Sequence, residues 1–412
     1  MRATKNLLFI MIDHKGNNVK LIVNQNDRKM ASLYLSVVAG AREETGFPLG
    51  IAHLMEHLLV SGTKSLPREE LHKKIALMGG SINAFTDYES VAVFMSLPYD
   101  HVEEGLKILA DIVYHPAFAE EDFKREKGIV LQEIRGGADN IYEQISHKLY
   151  KNMFNVDSRI SQPIAGSLAS VRKITISDIR AYFKKKCKNN RMILVAACNE
   201  EKDVTKLAKK YFKVDDKFVA PKKISNLKNF SNNKNIYHMS GVTQDRLHIC
   251  FEGVPIDHPD KTKFDLLKII LADGFASRIF NAVRSTGNVY DMSSEFVRHM
   301  DGNVFLLRAV TSPGNYKEIE NIINKEIDKV KKEKVSDEEL QTAKNLLTAR
   351  YYRLLDSQCG DSGLYLEEEY YKVTGYVKEY FDKAMATTIE DVQEAANMMF
   401  NQKRRTILIR GK

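Results

Sequence analysis

His53, Glu56 and His57 fall within five residues, in the order His-x-x-Glu-His. On a helix the two imidazoles, at i and i+4, share a face, and Glu56 projects from a neighbouring position of that face. Imidazoles so spaced can grip one Zn²⁺, while a carboxylate at that reach can hold and deprotonate the water that the metal acidifies. The string inverts the commoner His-Glu-x-x-His order. Its chemistry would be hydrolysis, with the metal as Lewis acid and Glu56 as general base. The competing reading is a surface helix with solvated His and Glu side chains.

A catalytic zinc usually takes three protein ligands and leaves the fourth position to water, so a third donor is required. With two His and no Cys nearby, a carboxylate is the expected type. The segment Glu120 to Ile134 reads as an amphipathic helix whose apolar members are Phe123, Ile129, Val130 and Ile134. Glu126 and Glu133 lie two turns apart on nearly the same face, beside that stripe. Burying an unpaired carboxylate there is costly, so a partner is implied. Taken alone, both also fit ordinary charges at the stripe's edge.

The elements that must position these groups follow from pattern. A chain of 412 residues suits two domains rather than one core. Its 43% hydrophobic and 28% charged residues are those of a soluble globular protein. An Asn- and Lys-rich stretch around 216–235 has little hydrophobic periodicity and reads as a linker, giving units 1–215 and 236–412. The two units repeat one order of elements. Ala31–Val38 and Arg246–Phe251 read as strands, followed by the His53 helix and by Lys263–Leu271. Ser81–Leu97 and Asp291–Thr311 read as paired strands, with helices Val102–Tyr114 and Tyr316–Val330 after them. Glu120–Glu133 and Ser336–Tyr351 follow as helices, and Arg191–Ala197 and Arg404–Arg410 as closing strands. A duplicated α+β unit is expected, each copy an antiparallel sheet packed with helices on one side. In the second copy no His pair takes the place of the first, since His248 and His258 are isolated. One zinc per chain is therefore expected.

Other features narrow the classes. The run Leu7–Ile12 is too short for a signal core or a membrane span and reads as a first strand. Four scattered Cys form no Cys-x-x-Cys pair, which suits a cytoplasmic address; Cys198 and Cys250, in apolar strands, are expected buried and inert. The net charge is +8, but the Lys184–Lys186 and Lys329–Lys334 runs lack the interleaved aromatics of a nucleic-acid groove and read as solvated faces. Neither nucleic acid nor a membrane is an expected partner.

The residues around the motif resemble the inverted-zincin metallopeptidases of the pitrilysin and mitochondrial processing peptidase family, short single-chain bacterial type. Gly50-Ile-Ala-His-Leu-Met-Glu-His-Leu-Leu-Val-Ser-Gly-Thr63 is similar to that family's zinc helix, and Gly79-Gly-Ser-Ile-Asn-Ala-Phe-Thr86 to the turn and strand after it. Pro163-Ile-Ala-Gly-Ser167 and Ile174-Thr-Ile-Ser-Asp178 resemble landmarks further on. In the second half, Leu271-Ala-Asp-Gly-Phe-Ala-Ser-Arg-Ile-Phe280 and Arg284-Ser-Thr-Gly-Asn-Val-Tyr290 resemble the glycine-rich and Arg-to-Tyr segments. Departures are Asp273 for a usual Gly, Ala276 for Ser, Ser285 for Glu, and an Arg-to-Tyr segment one residue short.

The resemblance implies Glu133 as third ligand beside His53 and His57, with Glu126 as a carboxylate that orients a ligand. It implies that Arg284 and Tyr290 bind substrate and the tetrahedral intermediate, and that Asn83 and Ala84 hold an extended peptide at a sheet edge. It further implies a clamshell of such units round a closed chamber, formed by pairing two chains. The expected function is a zinc endopeptidase acting on peptides or unstructured segments, as a homodimer or with a related chain. The alternatives are a processing peptidase that removes leader or targeting segments, and a non-catalytic scaffold subunit.

Overall fold

The computed structural model describes residues 19–187, 189–199, 201–214, 217–357, 360–373 and 376–411. The Leu7–Ile12 run and Cys359 lie outside the described residues.

The first sheet contains β1 (Val19–Gln25), β2 (Met30–Val37), β3 (Ser81–Thr86), β4 (Val91–Pro98) and β5 (Met192–Cys198), in the order β1-β5-β2-β4-β3. The second contains β6 (Asn233–Met239), β7 (Asp245–Glu252), β8 (Val289–His299), β9 (Gly302–Thr311) and β10 (Arg404–Gly411), in the order β6-β10-β7-β9-β8. The two orders are one permutation used twice, so the repeat read from the sequence is a repeat of topology. The fold class is α+β. One detail differs from an all-antiparallel sheet: β1 runs parallel to β5, and β6 parallel to β10. Parallel neighbours need a long crossover. Here the rest of each repeat serves as that crossover, since the paired strands lie at its two ends.

Period-two burial fixes which face is the core. Ala31, Leu33, Leu35 and Val37 of β2 join Met192, Leu194 and Ala196 of β5 in the first hydrophobic core, with the helices over that face. Leu247, Ile249 and Phe251 of β7 play the same part in the second.

The central strands are also buried on their other face, as every residue of β5 is. A strand buried on both sides must be covered on both, which adds to the expected one-sided packing. The cover comes from distant chain. By contacts, one compact unit holds the described residues up to Asp139 with Gln162–Pro221 and Leu354–Thr374. The other holds Asn140–Ser161, Lys222–Arg353 and the residues from Gly375 on. In the first unit the helix Gly360–Tyr371 packs on β5 and β2, where the Tyr370 hydroxyl is 2.5 Å from Ser36 Oγ. In the second, the helix Ile141–Met153 packs on β10, and Arg405 donates to the Asn152 carbonyl. The linker stretch ends inside structure, because Asn233 already belongs to β6.

Cys198 and Cys250 are buried. Burial pushes the Cys250 thiol up to about 12, which keeps it protonated and unreactive. No helix among the described residues is long and apolar enough to cross a membrane.

Candidate metal centre

The motif lies on the helix Ile51–Leu59, of which seven residues are buried, Glu56 among them. That excludes the solvated surface helix. His53 and His57 remain half-buried on its open face. The helix start is unusual. Gly50 has φ 91, and a Cβ there would lie 2.3 Å from the Ala165 carbonyl oxygen. Only glycine fits such a place. Gly166 makes the reciprocal approach, a Cβ on it falling 2.4 Å from the Leu49 carbonyl oxygen, so the Pro163–Ser167 segment is the seat of the helix N-terminus. Gly50 has no side chain to cap with. Buried Glu44 does so instead, its Oε1 accepting from the Gly50 and Ala52 N–H groups at 3.0 and 3.1 Å.

The third donor comes from the helix Glu120–Asp139, whose buried positions are Phe123, Glu126 and Val130. Glu126 is thus a member of the buried stripe and not its edge. Ile129, expected on the stripe, is 37% exposed. Lys127 fixes the helix laterally by donating to the carbonyls of Arg172 and Ile174 at 2.8 and 2.7 Å. Those carbonyls immediately precede the Thr175–Asp178 capping box, which explains the second landmark segment.

Both imidazoles turn one nitrogen to Glu133: His53 Nε2 lies 3.2 Å and His57 Nε2 3.7 Å from Glu133 Oε2. Their rings stand edge to face, with centroids 4.8 Å apart. The opposite nitrogens meet other carboxylates, His53 Nδ1 at 3.2 Å from Glu56 Oε2 and His57 Nδ1 at 3.1 Å from Glu126 Oε2. An imidazole that donates through Nδ1 to a carboxylate presents its Nε2 lone pair. Two such lone pairs and one carboxylate oxygen then converge, all within 4.8 Å of one another. Three acceptors facing each other need a cation between them. Two imidazoles and a carboxylate fit zinc, and the site would hold it through His53, His57 and Glu133. Without metal a proton takes part of that role. Burial opposes protonation of His53, but hydrogen bonds and charge from Glu56 and then Glu133 prevail and raise its pKa.

Asn83 and Ala84 lie on β3, which among the described residues pairs only with β4 and so stands at the sheet edge. Ala84 packs toward the core, and its N–H donates to Asn83 Oδ1 at 2.9 Å. One residue that sequence reasoning missed sits on the same strand. The Thr86 hydroxyl donates to Glu56 Oε2 at 2.9 Å. Its signal was available, since Thr86 shares the alternating face of Ala84.

In the second unit Arg284 ends the helix Arg278–Arg284, and Tyr290 sits at the register shift of β8. Both line a cavity of about 490 Å³ together with Gln244, Asn288 and Ser312. Tyr290 is 77% exposed there, because a residue at a bulge has no partner across the ladder. The departures have local partners: Asp273 is held by Lys268 and by both amino groups of Arg350, and Ser285 donates to the Ala282 carbonyl. His248 is buried in β7; burial, reinforced by Arg308, pushes its pKa down to about 3.

Two family models match the chain: insulinase, peptidase family M16, over residues 20–166, and the M16 inactive domain over residues 173–347. A relative from Rickettsia bellii named an uncharacterized zinc protease is 26% identical over 96% of each chain. The mitochondrial-processing peptidase subunit beta of Caenorhabditis elegans is 26% identical over 48% of this chain and 43% of its own. Among solved structures, a protease from Helicobacter pylori superposes with a TM-score of 0.87 at 20% identity, covering 97% of this chain and 98% of that one, which shows a common fold.

Proposed function

This chain belongs to peptidase family M16, and we propose that it is an active zinc endopeptidase that cuts peptides or unfolded segments. The observation that carries the reading is the convergence of His53 Nε2, His57 Nε2 and Glu133 Oε2 beside a buried, hydrogen-bonded Glu56. Zinc held there would supply a Lewis acid, acidifying water and polarising the scissile carbonyl. Glu56 takes the proton from the attacking water and passes it to the leaving amine. Glu126 holds His57 through Nδ1, fixing its tautomer and ring orientation. The edge of β3 at Asn83 and Ala84, without a second strand neighbour among the described residues, would hold an extended peptide by strand addition. Arg284 and Tyr290 are donors suited to a peptide carbonyl or to the charge that develops on it. Two copies of the chain enclosing a chamber are part of this reading.

Glu56→Gln should keep its zinc and lose cleavage of a quenched unstructured peptide by ~10² to 10⁴-fold. Equal rates for the two proteins would sink the mechanism. A processing peptidase is the second reading, favoured by the likeness to the mitochondrial-processing peptidase subunit. Mass spectrometry of peptides cut by wild type and spared by Glu56→Gln separates the two: a few defined sites near precursor N-termini favour processing, and scattered sites favour the endopeptidase.

A further inference from the structure

We infer that Thr86 is a positioning residue for catalysis, holding the Glu56 carboxylate in the orientation that accepts the proton of the attacking water. The inference rests on Glu56 being the base. Glutamate has three side-chain torsions, and a base that rotates freely is poorly aimed. In this site two groups converge on one of its oxygens: the Thr86 hydroxyl at 2.9 Å and His53 Nδ1 at 3.2 Å, both to Oε2. The carboxylate is thereby anchored through Oε2 and presents Oε1 for proton transfer.

Thr86 can aim Glu56 because it is itself fixed. It is the last residue of β3, paired with Val91 of β4. The next residue, Asp87, is half-buried in the hairpin turn, and its Oδ1 accepts the N–H groups of Glu89 and Ser90. The carbonyls of Asp87, Tyr88 and Glu89 in turn accept from Ala41, Arg42 and Gly40. That segment leads directly to Glu44, which caps the helix carrying Glu56. One frame thus sets both the end of the edge strand and the start of the motif helix. A peptide added to β3 would bind the strand whose last side chain aims the base, so strand occupancy and base alignment are coupled through Thr86.

The test compares Thr86→Val, which keeps the shape and strand preference of threonine but removes the donor, with Thr86→Ser, which keeps the hydroxyl. Thr86→Val should lower kcat by ~10- to 100-fold with KM within about twofold and zinc content unchanged, and Thr86→Ser should stay within about threefold of wild type. A crystal structure of zinc-loaded Thr86→Val should show the Glu56 carboxylate rotated away from its wild-type position. An unmoved carboxylate overturns the inference, as does a Thr86→Ser enzyme as impaired as Thr86→Val, which would mean that the strand and not the hydroxyl matters. If Thr86→Val is fully active while Glu56→Gln is dead, this inference alone falls. If Glu56→Gln is fully active, the base reading falls and this inference with it.

Discussion

After the second strand of each unit a helix sets two ionisable side chains four residues apart. In the first, His53 and His57 face Glu133; in the second, the helix Lys261–Ala272 carries Lys261 and Asp265, both buried. The second set is electrostatically closed. Lys261 Nζ lies 2.7 Å from Asp265 Oδ2, Arg298 donates to Oδ1 at 2.9 Å, and the Tyr380 hydroxyl donates to Oδ2 at 2.8 Å. Burial would raise the Asp265 pKa, but Lys261 and then Arg298 hold it well below the usual carboxylate range. The first set is open. Its carboxylates, Glu56, Glu126 and Glu133, surround two imidazoles, and the guanidinium that joins them, Arg125, is bonded to Glu126. One scaffold position therefore serves two ends. Where a carboxylate is paired by cations of the protein itself the cluster is structural, and where lone pairs are left facing one another it has room for a metal.

Breaking the closed set should have the largest effect on stability. Asp265→Asn removes the carboxylate that pairs with buried Lys261 and half-buried Arg298, and should cost roughly 3–5 kcal/mol in urea unfolding while zinc content per folded chain is unchanged. A loss under about 1 kcal/mol would show that the network is not closed in solution. The open set should respond in the opposite currency. Glu133→Gln should lose zinc on dialysis, whereas Glu126→Gln, which removes only the partner of His57, should weaken zinc affinity by about 10- to 100-fold. A Glu133→Gln chain that keeps full zinc occupancy would overturn the ligand set.

The smallest effect sharpens the contrast by pH. In the zinc-free chain His53 has a pKa raised above its ordinary 6.5, so its stabilising contribution is complete below that value and is lost as pH rises through the folded one. Asp265 is shifted down, so its contribution is complete above the ordinary 3.8 and is lost only as pH falls through the folded value. With chelator present, stability should decline as pH rises above the ordinary 6.5 and through the raised folded value, and His53→Gln should remove that decline. An unchanged pH dependence in the variant would exclude His53 as its source.

Much of the architecture is legible in pattern. Helix Val102–Tyr114 is expected and observed with the same ends, because its apolar spacing and the preceding Pro98 turn agree. Local signals were weaker where remote chain decides. The parallel β1–β5 pair joins residues at opposite ends of a repeat, and the helices Ile141–Met153 and Gly360–Tyr371 have spacing that says which face is apolar but not which strands will cover it. Ile129 shows the same dependence: it and Val130 leave the helix in different directions, the buried stripe here is narrow, and the packing buries Val130 and leaves Ile129 partly exposed.

At the site, the sequence by itself determined the donor types and the i, i+4 spacing of His53 and His57, since helix geometry alone puts those two side chains on one face. Tertiary structure decided the rest. Glu133 is 80 residues from His53, and Thr86 is 30 from Glu56, so their meeting depends on how a second helix and an edge strand pack on the first. Composition does not encode such distances. They are set by the Gly50–Ala165 approach and the buried stripe of the helix Glu120–Asp139, packing contacts between segments far apart in the chain, acting on a helix start that the nearby Glu44 caps.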